Sequence, residues 1–199
     1  MTRANVRVRP ATTDDIPALV EVVQSVDVST GTFSGKPLQD ASTEHLTARF
    51  CDVLAHTDRI LLIAADEAGA VVGLLGARND DIGVIDVMPV LHITHLMVMP
   101  GQRRRGIGRT LLAAAVHLAE EAGTEHVLAT AAAGSREGNR YLARIGFAPL
   151  VLQRIAPTSV LRRSLGLGDV AGRMAVLRRA RLVRAQRSGL ASRAMGRGA

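Results

Sequence analysis

The spacing of apolar and polar residues changes period several times along the chain, and each change marks an element. Val6, Arg7, Val8 and Arg9 alternate up to Pro10, the period of a strand. Ile16, Leu19, Val20 and Val23 then recur at helical spacing, with Thr13 or Asp14 placed to cap and Pro17 tolerated in the first turn. A polar, glycine-containing loop is predicted over 28–41. A second helix follows Ser42, with Leu46, Phe50, Val53 and Leu54 on its apolar face. The apolar runs 59–65 and 71–77 flank Asp66-Glu67-Ala68-Gly69 and predict a hairpin. Residues 79–89 read as a loop that allows a short strand at 84–87. Residues 91–99 read as a strand stopped by Pro100-Gly101, 105–122 as a long Ala/Leu helix, and 126–130 as a short strand. Ser135 caps a helix that Gly146 closes, and 147–155 is predicted as a last strand. The order β-α-α-β-β-β-α-β-α-β predicts an α/β (α+β) fold, a mixed sheet flanked by helices.

Composition changes this picture in two places. With 47% hydrophobic residues but only 2% aromatic, no Trp and one Tyr, the core must be built from Ala, Val, Leu and Ile. The single cysteine, Cys51, excludes an internal disulfide and a Cys-based zinc cluster, so no metal is expected; the thiol itself is expected to be buried and inert. No apolar run reaches about 18 residues and no signal-like region opens the chain, which predicts a cytoplasmic protein without a transmembrane segment.

Charge divides the chain. Residues 1–152 carry 14 Lys+Arg against 17 Asp+Glu (−3), whereas 153–199 carry 11 Arg against Asp169 alone (+10); together these give the net +7. The expected organisation is therefore a domain over 1–156 and a basic C-terminal extension over 157–199, with helices at 160–167 and 170–184 and a frayed end after Arg187. Three uses of the extension compete: packing on the body or on another subunit, which leaves a homodimer open; electrostatic contact with nucleic acid or an anionic membrane surface; and cover over the acidic body. Without aromatic residues for stacking or a complete recognition motif, no specific nucleic-acid partner is expected.

The stretch richest in chemistry is Leu96-Met97-Val98-Met99-Pro100-Gly101-Gln102-Arg103-Arg104-Arg105-Gly106-Ile107-Gly108-Arg109. A strand enters a basic, glycine-containing turn and then a helix, whose first amides are unpaired and carry partial positive charge. Gly106 and Gly108 let an anion approach the backbone, and Arg103, Arg104, Arg105 and Arg109 surround it with guanidinium charge. The pattern predicts a di- or polyphosphate site. It is neither a P-loop, which needs Gly-Lys-Ser/Thr, nor a dinucleotide fingerprint, which needs a third glycine.

Arg103-x-x-Gly106-x-Gly108, after Leu96-Met97-Val98 and Pro100, resembles the acetyl-CoA signature of the GNAT superfamily of N-acetyltransferases. Val8–Ile16 resembles that family's first strand and helix opening, the hairpin over 59–77 its second and third strands, and Asn139–Phe147 its later Asn…Gly-Phe motif. The likeness covers about residues 5–155. It implies acetyl-CoA as cosubstrate and an amine, on a small molecule or a protein, as acceptor. It further implies backbone contacts from Met97 and Val98 beside the thioester, pyrophosphate held by amides over 104–109, Ile107 among them, and a coenzyme contact from Asn139. A weakly catalytic acyl-CoA-binding module acting through its basic tail is the alternative.

Catalytic candidates follow from the same likeness. His95 and His92 lie on the strand entering the motif, where an imidazole is suited to take the amine's proton. Their spacing of three puts them on opposite faces of an ideal strand, so only one faces the acceptor unless a bulge intervenes. Tyr141 is the only tyrosine. The family's leaving-group acid sits four residues before the Gly-Phe pair, a place held here by Leu142, so Tyr141 is read as packing against coenzyme or core with the acid role as its alternative. Asp80, Asp81 and Asp86 offer carboxylates to a cationic amine, or are simply solvated. Glu120, Glu121 and Glu125 read as surface charge.

Overall fold

The computed structural model describes residues 5–26, 41–83, 85, 87–131, 135–151 and 153–167. The elements in chain order are β1 (Arg7–Pro10), α1 (Ile16–Ser25), α2 (Thr43–Ala55), β2 (Arg59–Ala65), β3 (Val71–Ile82), β4 (Met88–Val98), α3 (Ile107–Glu121), β5 (His126–Ala129), α4 (Arg136–Arg144) and α5 (Thr158–Ser164). The chain divides into two units, Met1–Leu150 and Val151–Ala199. The expected mixed sheet is present: five strands in the order β1-β2-β3-β4-β5, antiparallel from β1 to β4, with β5 parallel to β4.

Strand alternation sends side chains to two cores. Leu61, Ile63, Leu74 and Met97 pack with Ile16, Leu19, Val20, Val22 and Val23 of α1 and Leu46 of α2. The intervening Leu62, Ala64, Leu75, Ala77, Leu91 and Ile93 face Ile107, Leu111, Leu112, Ala115 and Ala119 of α3. Strand β2 is covered on both sides, which is why its sequence is an unbroken apolar run rather than an alternating one. Helix α3 lies close to the sheet over Gly73, where an added Cβ would stand 2.8 Å from the Met97 carbonyl oxygen and 3.4 Å from Ile107 and Leu111.

The passage from β1 into α1 is fixed by a carboxylate. Asp15, 7% exposed, receives both terminal nitrogens of Arg9 at 2.7 Å, the backbone N–H of Thr12 at 2.8 Å and its hydroxyl at 3.0 Å. A short 3-10 turn, Thr13–Asp15, thus precedes the helix, with Thr12 as its cap rather than Thr13 or Asp14.

Several expectations are corrected. Strand β3 continues through Arg78, Asn79, Asp80 and Asp81 to pair Ile82 with Met88, so most of the stretch expected as a loop is a hairpin arm; the short strand foreseen at 84–87 is absent among the described residues there. The last strand expected over 147–155 does not form among the described residues. Pro149 has no N–H for a ladder, and Leu150, Val151 and Ile155 are exposed instead of packed. Cys51 is exposed, because it sits one position off the stripe formed by Leu46, Phe50 and Val53. In the second unit, α5 covers part of the helix foreseen at 160–167. Residues 28–40 of the predicted 28–41 loop, the helix over 170–184, the end after Arg187, and Asp86 lie outside the described residues.

Arg9, with smaller help from the Thr12 backbone and hydroxyl, holds the Asp15 carboxyl at about 2, below its ordinary 3.8. Depressed in the folded state, this group stabilises the protein above about pH 4 and loses that contribution as pH falls toward 2. Asp15→Asn is therefore expected to lower unfolding free energy by about 1–2 kcal/mol at pH 7, an amount discounted for the solvent-exposed guanidinium. Urea denaturation at stepped pH checks this: the gap from wild type should close as pH approaches 2.

Candidate functional site

The site is made where β4 stops pairing on one side. Its parallel register with β5 runs from Val90↔His126 to Ile93↔Ala129, and the Thr130 N–H still reaches the Ile93 carbonyl at 3.0 Å. On the other side, pairing with β3 continues to Gly73↔Val98. Among the described residues, β4 between Thr94 and Val98 is thus paired with β3 alone, its register with β5 having ended at Ile93. The Met97 carbonyl points at Gly73, and the Met99 N–H bonds the Val72 carbonyl at 3.0 Å, so both residues commit their backbone to β3. Alternation then turns the backbone groups of Leu96 and Val98 into the gap. Of the two residues expected beside the thioester, Val98 turns its backbone to this edge together with Leu96, whereas the Met97 backbone pairs with β3 and its side chain packs against α1 and α2.

The register slips between Gly76↔His95 and Ala77↔Ile93, leaving Thr94 as an extra residue whose hydroxyl donates to the Gly76 carbonyl at 3.1 Å. This bulge changes the facing of the histidines. Leu91 and Ile93 face α3 before it, and Leu96 and Val98 do so after it. His92 and His95 therefore both lie on the α1/α2 face, beside Arg78 and Asp80 of β3. The His92 ring is 3.3 Å from Asp80 at Nδ1 and 2.6 Å from Thr130 at Nε2. The His95 ring meets the Thr94 hydroxyl at 3.0 Å. Although His95 is exposed, protein crowds it on enough sides that loss of water lowers its pKa below the ordinary 6.5, and His92 adds a smaller like-charge push.

On the opposite face β4 ends in a 3-10 turn, Pro100–Gln102, and α3 begins after a loop with two left-handed residues, Arg104 at φ 61° and Gly106 at φ 88°. Ile107, 2% exposed, anchors the helix start in the core and leaves the polar groups of the turn outside. Arg103, Arg104, Arg105 and Arg109 are all exposed; Arg105 bonds Gln102, and among the described residues none of the four forms an ion pair. That is uncompensated positive charge around a helix N-terminus.

Tyr141 comes from α4, which Ser135 caps by accepting the Gly138 N–H at 3.1 Å. Its ring packs against the α3-side core and its hydroxyl lies across Gly108, where an added Cβ would stand 3.3 Å from that oxygen and 3.9 Å from Val98. The hydroxyl is buried and, among the described residues, has no hydrogen-bond partner. Burial raises its pKa, with Arg109 pulling slightly the other way, so it remains protonated at neutral pH. The shift of one residue from the expected position has not taken the side chain away from the motif. Asn139, one turn after Ser135, is exposed and donates to the Ser135 carbonyl at 2.8 Å.

These features fit a thioester coenzyme. An orphaned hydroxyl, an unpaired strand edge and a basic helix start meet around Val98 and Gly108. By contrast, an open groove of about 770 Å³ between α1 and α2 is lined by Ile16, Pro17, Val20, Gln24, Thr43 and Thr47 and by none of the candidate residues. Among the described residues no group of three or more His, Cys, Asp and Glu could hold a metal ion, and no helix is long and apolar enough to cross a membrane.

Residues 28–147 match the model of the acetyltransferase (GNAT) family. Among solved structures, a transcriptional regulator from Bacillus halodurans is 18% identical, with 77% of this chain covered, 99% of that one, and a TM-score of 0.64. An aminoglycoside N-acetyltransferase in complex with CoA is 15% identical (78% and 95% covered, TM-score 0.65). An aminoglycoside 6'-N-acetyltransferase from Acinetobacter haemolyticus is 16% identical (76% and 97%, TM-score 0.62). At such identities the likeness is one of fold. No curated protein matches the sequence.

A hydroxyl buried without a partner costs stability. Tyr141→Phe is expected to raise the unfolding free energy of the ligand-free protein by about 1 kcal/mol. Thermal and urea melts side by side check this; a destabilised Phe variant would mean the hydroxyl is already paired.

Proposed function

Because this chain belongs to the GNAT acetyltransferase family, we propose that it moves an acetyl group from acetyl-CoA directly to a primary amine, on a small molecule or a protein. The observation that carries this reading is the gap between β4 and β5, bordered by an open backbone edge, the unpaired Tyr141 hydroxyl and the basic start of α3. When bound, acetyl-CoA supplies an acyl group activated as a thioester.

The chain's own residues do the rest. Exposed Arg103, Arg104, Arg105 and Arg109, with the amides around Gly106, Ile107 and Gly108, hold the pyrophosphate. The open edge at Leu96 and Val98 accepts the pantetheine arm much as a sheet accepts an added strand, and an amide there polarises the thioester carbonyl. Asn139 contacts the coenzyme from the helix that also delivers Tyr141. From the α1/α2 face, His92 and His95 take up the proton the amine must lose before it attacks. His95, with its lowered pKa, is neutral at pH 7 and able to accept one. Tyr141, which keeps its proton on Oη beside Val98 and Gly108, would give it to the departing thiolate.

Calorimetric titration of the full chain with acetyl-CoA is expected to show micromolar-range binding, lost in a Gly106→Asp/Gly108→Asp double variant that puts carboxylates where the pyrophosphate sits. No binding by wild type would overturn the reading and turn attention to the arginine-rich extension. Tyr141→Phe should bind acetyl-CoA normally and turn over about 10-fold more slowly.

A further inference from the structure

The hydrogen bonding of His92 dictates its tautomer. Asp80 receives Arg78 at Oδ2 (2.6 Å from Nη2, 3.1 Å from Nε) and the Asp81 N–H at Oδ1 (3.0 Å), and Arg78 foremost, with His92, holds its carboxyl below the ordinary range. It is a carboxylate, and a carboxylate only accepts. Nδ1 of His92, 3.3 Å from Oδ2, must then carry the ring hydrogen. The neutral ring's Nε2 has only a lone pair left, so the Thr130 hydroxyl, 2.6 Å away, donates to it.

Access points the same way. The His92 side chain is 12% exposed, and both its nitrogens are occupied. Thr130 is exposed and sits one residue beyond β5, at the point where β4 and β5 part. Of this hydrogen-bonded pair, Thr130 is therefore the exposed member and the His92 imidazole the covered one.

We propose that Thr130, His92 and Asp80 form a proton relay in which Thr130 Oγ1, rather than the imidazole, meets the acceptor amine; this rests on the acetyl-transfer reading above. One proton passes from the amine nitrogen to Thr130 Oγ1 as the hydroxyl's own proton passes to His92 Nε2. The ring becomes an imidazolium whose charge is met by Asp80 through Nδ1–H, and the proton later returns by the same path to water. Asp80 acts as a positioning residue. Among the described residues the charged and titratable groups around the ring are Asp80 and Arg78 from β3 and His95 from β4 itself.

The test uses the full chain with acetyl-CoA and a panel of primary amines, following CoA release. Thr130→Val, which keeps the shape and removes the hydroxyl, should lower kcat about 30-fold with the KM for acetyl-CoA unchanged. Thr130→Ser should stay within about 3-fold of wild type, and Asp80→Asn should lose about 10-fold. Independently of turnover, ¹⁵N NMR of the labelled imidazoles should show His92 as the Nδ1–H tautomer, identified by its loss in His92→Gln, and a tautomer mixture in Asp80→Asn. Thr130→Val turning over like wild type, or a wild-type ring in the Nε2–H form, overturns the relay and leaves acetyl transfer standing. A wild type that acetylates none of the amines overturns acetyl transfer and the relay with it.

Discussion

Strand β4 cannot satisfy both of its neighbours along its whole length. Pairing with the parallel β5 ends at Ile93, whereas pairing with the antiparallel β3 runs on to Val98. The extra residue, Thr94, absorbs the mismatch. The open edge of β4 and the facing of its histidines both depend on that mismatch. It opens a backbone edge at Leu96 and Val98, which is tolerable only because the gap admits water or a ligand to groups that would otherwise be buried unpaired. It also turns His92 and His95 to one face, where a regular strand would have separated them.

The two faces of the sheet then have different duties. Helix α3 is drawn close over Gly73, which fixes its first turn, and the Arg103–Arg109 charge around it, relative to the end of β4. The opposite face carries the imidazoles and the carboxylate of Asp80. The gap is the passage between them, so a group entering from one side can meet a group entering from the other. Tyr141 marks how firmly this arrangement is held: an unpaired hydroxyl is kept under the core's edge although a phenylalanine there would fold more easily.

Much of this was legible in the residues. The period changes at Ile16, Ser42 and Ser135 and the turn at Asp66–Gly69 place their elements correctly, because there the local pattern and tertiary packing agree. The strand-turn-helix around Arg103-x-x-Gly106-x-Gly108 was legible for the same reason, since a helix start is set by local sequence. What was hidden depends on neighbours. Arg78, Asn79, Asp80 and Asp81 look like a loop, yet β4 recruits them as a strand with its partners on one side. Thr94 carries no mark of a bulge; only the competing registers of β3 and β5 create one. That the Met97 backbone pairs with β3 while that of Leu96 turns away was not legible, because the direction of a backbone carbonyl follows from pairing, which side-chain identity does not encode. Thr130 is an ordinary strand-end threonine until β5 brings it to His92.

The single thiol has a practical side. Cys51 stands on the outward face of α2, remote in sequence from β4 and α3, and it is exposed. Any disulfide reagent that counts liberated CoA will also titrate one equivalent of protein, giving a background proportional to enzyme and independent of time. The same cysteine is a ready-made attachment point: one fluorophore or spin label per chain, fixed to a helix and obtained without engineering, from which distances to the end of β4 can be read.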